Sequence, residues 1–338
     1  MYKNNNLRTI QLRANGRAIR AVLCAVVFVS VFSVGHAQEF PSKPVRIIVG
    51  FAPGGSNDIV VRHIAPKLSE LLKTQVVIEN RPGANAAIGT DAVAKAAPDG
   101  YTLGLVGVSN LILNPLLEPK TPYNALNDFT GLSTIGVTHQ VISIHPSLPA
   151  RSLKELIALA KTRPGQLNFG SPGVGGLKHL TLELLNTLAH TRMEHVAYKG
   201  GGPALIDALG GQIHGVIVDI AAPYPFIKQG KLRALAVTGE ARAKLLPDVP
   251  TVMEQGIKLV SLNWFGIVAP AKTPQAVIER LHGSLVKASH APDVKERLDG
   301  IAVEPLTHAT PEAFQAFVRQ EYARWGKVVK DAKLAMQP

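Results

Sequence analysis

A chain of 338 residues, 46% apolar and 18% charged, is long enough for two α/β domains with their own cores, and its composition excludes intrinsic disorder. The formal charge of +12 overstates its basicity: five of the 36 basic residues and none of the 24 acidic ones precede residue 38, which leaves the rest near +7. That excess is scattered singly along helical runs, without the basic run or aromatic interleaving that nucleic acid requires, so it supports no more than a mild attraction for anions.

The chain opens with Lys3, Arg8, Arg13, Arg17 and Arg20, followed by the apolar run AVLCAVVFVSVFSVG and then Gly35-His36-Ala37. A basic start, an apolar stretch too short to span a bilayer comfortably and small residues at the end predict a secretory signal peptide over 1–37, cut after Ala37, and hence an exported protein. Cys24 lies within the apolar run, and Leu23 before it is not the small residue that a lipoprotein signal needs. The exported chain then has no cysteine, which excludes disulfides and a cysteine nucleophile.

After residue 40, short β-rich runs alternate with helical ones. VRIIVGF leads into a helix with Val60, Ile64, Leu68 and Leu71 at helical spacing; QVVIEN is a strand; AAIGTDAVAKAAPDG is an Ala-rich helix stopped by Pro98 and Gly100; YTLGLVGV is a third strand, which Ser109 and Asn110 end. Later, VISIHP, IHGVIVDI and LRALAVTG read as strands, and SLKELIALAKTRPG as a helix with Ser152 at its N-cap. The tail TPEAFQAFVRQEYARWGKVVKDAKL reads as a long helix capped by Thr310, with Pro311 at its first position. This order predicts parallel sheets with helices on both faces. Taking GLSTIGVT and NWFGIVA as crossings, the expected lobes are 38–138 plus 262–338, and 139–261.

Three strand-to-helix turns share one design: Pro53-Gly54-Gly55, Ser171 to Gly176 (with Gly173, Gly175 and Gly176) and Gly200-Gly201-Gly202. Glycines let the backbone approach a ligand, and the unpaired N–H groups at a helix N-terminus, with the helix dipole, hold a carboxylate or phosphate without a charged side chain. Ordinary connecting turns also contain glycine, but three alike, beyond the carboxyl ends of strands, favour ligand binding. Of the nearby side chains, Asp58 either caps its helix or meets a ligand amino or hydroxyl group. Ser171 either reaches a carboxylate or forms the turn. His179 either packs or contacts ligand, Lys199 either pairs with an anion or is solvated, and Asp219 ends a strand either as a site residue or as the orienter of a loop. A bulky residue at Gly54 or Gly175 is expected to abolish binding while the fold survives.

Enzymatic motifs are missing. FGSPG has Phe169 where a nucleophile elbow needs glycine, no His-Glu-x-x-His occurs, and the histidines after residue 37 lack metal-ligand spacing, so neither metal nor cofactor is expected.

The blocks PSKPVRIIVGFAPGGSNDIVVRHIAPKLSELL, VVIENRPGANAAIGTDAVAKAAPDGYTL, NFGSPGVGGLKHL, YKGGGPALIDALGGQI, GKLRALAVT, LPDVPTVMEQG and WFGIVAPAKTP, in that order, resemble the extracytoplasmic receptors of tripartite tricarboxylate transporters, the Bug family. The resemblance implies a monomeric, non-enzymatic, two-lobe periplasmic binding protein fold of type II-like form. It implies a di- or tricarboxylate, acidic amino acid or aromatic carboxylate held in the interlobe cleft and delivered to membrane permease subunits. It places the contacts on Phe51 to Asp58, with Ser56 and Asn57 among them, and on Ser171 to Gly176. The family usually carries Ser or Thr where this chain has Gly176, so one hydroxyl is missing. Two other readings stay open: a liganded sensor docking on a membrane sensor kinase, and an exported enzyme using Asp219 or His179 as acid or base.

Overall fold

The first strand, β1 (Val45–Val49), is almost wholly buried, and the Gly-rich turn after it releases the chain into α1 (Ser56–Leu72), whose Val60, Ile64 and Leu68 face inward. β2 (Val76–Asn80), α2 (Ala87–Ala94) and β3 (Thr102–Val106) follow, and β1 lies parallel between β2 and β3. This computed structural model describes residues 40–331; the signal-peptide reading and Cys24 lie outside them.

Past β3 the structure departs from the sequence reading. Ser109 and Asn110 do not end the strand but sit in a π-helical turn, Val108–Leu113, that runs into α3 (Asn114–Leu117). The cause is local. Asn110 Oδ1 accepts from the Gly107 N–H at 2.9 Å, and its Nδ2 donates to Thr90 Oγ1 at 2.8 Å and to the Leu105 carbonyl at 3.3 Å, so a side chain takes over the bonds that a longer strand would have made.

GLSTIGVT and VISIHP, read as separate strands, form one, the 16-residue β4 (Phe129–Ile144). After it come α4 (Leu153–Thr162), β5 (Asn168–Ser171), α5 (Leu177–Ala189), β6 (Glu194–Ala197), α6 (Gly201–Leu209), β7 (Gly215–Asp219), α7 (Tyr224–Lys228) and β8 (Arg233–Val237). The last elements are β9 (Leu262–Pro270), α8 (Gln275–His290), α9 (Pro292–Asp299), β10 (Val303–Pro305) and α10 (Pro311–Asp331). α7, α9 and β10 were not legible in the pattern. Both expected caps form: Ser152 Oγ accepts from the Glu155 N–H, and Thr310 Oγ1 from the Ala313 N–H, each at 3.1 Å.

The strand order is β2-β1-β3-β9-β4-β7-β5-β6. Two parallel triples, β2-β1-β3 and β7-β5-β6, are joined through the antiparallel pair β9-β4. β4 changes neighbours along its length. Up to His139 it pairs with β9 and, over Gly136–Thr138, with β10; from Gln140 it pairs with β7 and β8. Two apolar cores match the two halves. One gathers Val106, Leu113, Trp264 and Phe314, the other Ile142, Leu156, Leu185 and Ile217. The start of α5 crosses between them, since its Leu177 and Leu180 pack into the first core and its Leu182 and Leu185 into the second.

Candidate functional site

Two of the three glycine turns press on each other. The Ala52 N–H donates to the Lys199 carbonyl at 2.9 Å. A Cβ on Gly55 would lie 3.2 Å from the Gly201 nitrogen, one on Gly200 2.8 Å from the Ala52 nitrogen, and one on Gly202 2.4 Å from the Pro53 carbonyl oxygen. Here glycine is required by the approach of backbone to backbone. Gly54 faces away from this contact: it and Pro53 are exposed, and a Cβ on Gly54 would meet nothing within 4 Å.

Beside the turns lies a small cavity of about 10 Å³, room for roughly one water molecule, lined by Phe51, Asn57, Ser109, Asn110, Gly173 and Gly176 of the expected set. Asn85, Gly107, Pro172, Lys178 and Asn263 complete its wall. Asn85, Pro172 and Gly173 also border a more open groove of about 380 Å³, which Lys120, Val174, Tyr198 and the exposed Lys199 help to line. That volume falls within the range of small-molecule sites.

Several expected residues turn out to shape the cleft. The Asp58 carboxylate is occupied by the Gly54 N–H at 3.1 Å, Arg62 Nε at 2.9 Å and Asn80 Nδ2 at 3.0 Å, which ties it to the turn ahead of its own helix. Burial pushes this carboxyl up, but the bonds from Arg62, Gly54 and Asn80 hold it below the usual range. Ser56 Oγ donates to the Asp219 carbonyl at 3.0 Å, and Ser109 Oγ accepts from the Leu177 N–H at 3.0 Å, capping α5 from the other half of the sheet. Ser171 Oγ lies 2.6 Å from His195 Nε2, and His179 Nδ1 accepts from the Gly175 N–H at 2.9 Å. The His179 and His195 rings stack at 3.8 Å, forming a brace behind the second glycine turn. Burial and the neighbouring His179 push His195 down to about 3, so its ring is neutral beside the Ser171 hydroxyl.

The floor of the cleft carries charge. Lys178 and Asp219 are 4% and 2% exposed, and Lys178 Nζ stands 2.8 Å from Asp219 Oδ1. Asn263 Nδ2 donates to Asp219 Oδ2 at 3.0 Å, so residues from β9 and β7 meet here. Burial pushes the Asp219 carboxyl up, opposed by Lys178 and Asn263. Sequence reasoning missed Lys178, yet a signal existed: a lysine in the first turn of a helix opposes the helix dipole and needs a local reason.

It also missed Asn85, which explains the departure at Gly176. A Cβ on Gly176 would lie 2.7 Å from Asn85 Oδ1, and one on Gly173 2.9 Å from the same atom. The amide of Asn85 fills the space that a serine or threonine side chain would use.

Two α/β halves sharing long antiparallel strands, with polar loops and helix N-termini converging on the cleft between them, define a periplasmic solute-binding protein fold. The model of the tripartite tricarboxylate transporter family receptor matches residues 60–334, and the chain belongs to that family. Protein BugT of Bordetella pertussis is 36% identical over 316 residues, covering 91% of this chain and 97% of BugT. The structure of the periplasmic binding protein BugD has a TM-score of 0.85 at 33% identity, over 88% of this chain and 100% of that one. A Rhodopseudomonas palustris protein solved with adipate has a TM-score of 0.84 at 33% identity, over 87% of this chain and 99% of that one. MatC from the same organism, with bound malate, has a TM-score of 0.82 at 29% identity, over 86% of this chain and 100% of that one.

Proposed function

We propose that this protein captures a small organic carboxylate in the cleft, releases it unchanged, and delivers it to the membrane permease subunits of a tripartite tricarboxylate-type transporter. The observation that carries this reading is the cleft between the two sheet halves, where the water-sized cavity adjoins the groove of about 380 Å³. A buried ammonium, Lys178, and the amides of Asn57, Asn85, Asn110 and Asn263 surround the cavity, while the carboxylate of Asp58 is spent on its own turn. Such a wall suits an anion. The relatives solved with adipate and malate support the ligand class.

The proposed lobes are 38–138 plus 262–338, and 139–261, meeting where β4 changes partners between His139 and Gln140. Closure of one lobe on the other works by differential affinity: a ligand that touches both stabilises the closed form. The reading includes export to the periplasm with cleavage after Ala37, which N-terminal sequencing of the exported protein checks.

The functional test is a thermal-shift screen of the purified protein against organic acids, amino acids and aromatic carboxylates, with mass spectrometry of the denatured protein for a retained acid. Saturation at a hundredfold excess over Kd stabilises the folded state by about 2.7 kcal/mol. A shift with one carboxylate class supports the reading and names the cargo. The absence of both a shift and a retained acid overturns it.

A further inference from the structure

Two polar groups in the cleft are left short of partners. Lys178 presents three N–H donors, and its one close contact among the described residues is Asp219 Oδ1. Asn85 Oδ1 is buried and has no hydrogen-bond partner. Both residues line the same cavity. A buried polar group without a partner is costly, which makes each a place where a ligand gains by supplying the missing bond.

The orientation of the Asn85 amide is fixed by its neighbours. Its Nδ2 donates to Asn114 Oδ1 at 2.7 Å, while Asn114 Nδ2 donates to the Asn85 carbonyl at 3.0 Å and to the Tyr123 oxygen at 3.3 Å. The Tyr123 hydroxyl in turn donates to the Asn110 carbonyl. Turning the Asn85 amide over would set its oxygen against Asn114 Oδ1, and turning Asn114 as well would set an oxygen against the Asn85 carbonyl. The chain of bonds therefore directs Asn85 Oδ1, an acceptor, at the second glycine turn.

We infer that Lys178 and Asn85 act as a donor and acceptor pair that selects a carboxylate carrying its own hydrogen-bond donor, a hydroxy or amino acid in preference to the plain acid of the same skeleton. Lys178 takes the carboxylate, and Asp219 holds the ammonium in place and offsets its charge when the ligand leaves. Asn85 Oδ1 takes the hydroxyl or ammonium hydrogen. A ligand without that hydrogen leaves the Asn85 oxygen unpaired and loses affinity, the way a site built to meet a hydroxyl rejects the analogue that lacks one.

The inference rests on the carboxylate-receptor reading, and calorimetry with matched acids separates the two. Succinate, malate and aspartate, propionate and lactate, and glutarate and 2-hydroxyglutarate are titrated into the purified protein. The best binder is expected to bear the donor and to bind at least about tenfold more tightly than its plain partner. Asn85→Gly, which tolerates the left-handed backbone at that position, should bring the two within about threefold. The double variant Lys178→Met/Asp219→Asn removes both charges together, so no buried ion is stranded. It should weaken every acid by about tenfold or more while a cooperative melt persists. If plain and donor-bearing acids bind equally, or if Asn85→Gly keeps the preference, or if the double variant binds as the unmodified protein does, the inference fails and the receptor reading stands. If none of these acids binds, the inference fails, and the receptor reading is decided by the wider screen and the search for a retained acid.

Discussion

Gly202 lies directly beneath the carbonyl of Pro53, so that a Cβ at this position would sit 2.4 Å from the oxygen. The two residues belong to different strand-to-helix turns, and on the proposed closure of one lobe on the other their contact forms as the cleft closes. Gly202→Ala should therefore penalise the closed form selectively. An overpacked contact costs about 1–3 kcal/mol, which is about a five- to 150-fold loss of ligand affinity. Gly54→Ala is the control: its side chain meets open space, and its φ of +79° costs about 1–2 kcal/mol of stability by backbone strain without touching the cleft. Calorimetry on both variants checks this, and an unchanged affinity in Gly202→Ala would show that the turn contact is no part of closure. On this reading the critical glycine is Gly202, in the turn opposite, where the sequence suggested Gly54 or Gly175.

Asp58 should support stability in a pH-dependent way. Its carboxyl is held below the ordinary value of 3.8, so the folded state binds fewer protons than the unfolded one in acid. The stabilisation is then complete above that value and is lost as the pH falls through the lower, folded value. Asp58→Ala should cost about 1 kcal/mol near neutrality, where the Gly54 N–H and Arg62 lose their acceptor, and nothing once the carboxyl is protonated. Urea melts at neutral pH and in strong acid compare the two. A cost that persists undiminished in acid would mean that packing, not charge, is what Asp58 supplies.

His195 acts in a higher window. Burial and the stacked His179 push it from 6.5 down to about 3, so an unfolded chain takes up a proton below pH 6.5 that the folded chain refuses until about pH 3. Stability is full above 6.5 and falls with acid at about 1.4 kcal/mol per pH unit within the window. Replacing His195 with Gln should flatten the dependence by one proton between pH 6 and 4, in roughly that measure. Equal slopes for the two proteins would place the lost proton elsewhere.

Much of this was legible because its causes are local. The helix of α1 follows from Val60, Ile64 and Leu68, and the caps at Ser152 and Thr310 follow from side chains that bond three residues ahead. The glycines of the three turns were also visible, but their purpose was not. That Gly55, Gly200 and Gly202 face other backbone, and Gly173 and Gly176 face Asn85, depends on which turns the sheet brings together. Asn263 was overlooked for the same reason, since it meets Asp219 across 44 residues of chain. β4 read as two strands because its partners change midway, and no property of a single strand's sequence records its neighbours.

Asn85 and Gly176 should be energetically coupled. Gly176→Ser puts in place the hydroxyl residue that the resemblance implies here, but its Cβ would lie 2.7 Å from Asn85 Oδ1, whose amide is tied to Asn114. The amide cannot swing away without breaking that pair, so the single substitution should destabilise the fold by about 1–2 kcal/mol. Asn85→Gly empties the space, and in that background Gly176→Ser should cost little. Urea unfolding of the four proteins in the cycle should give a favourable coupling of about 1–2 kcal/mol. If the two substitutions instead add to within about 0.5 kcal/mol, Asn85 does not occupy the place of the missing hydroxyl, and Gly176 must answer to the backbone of the turn alone.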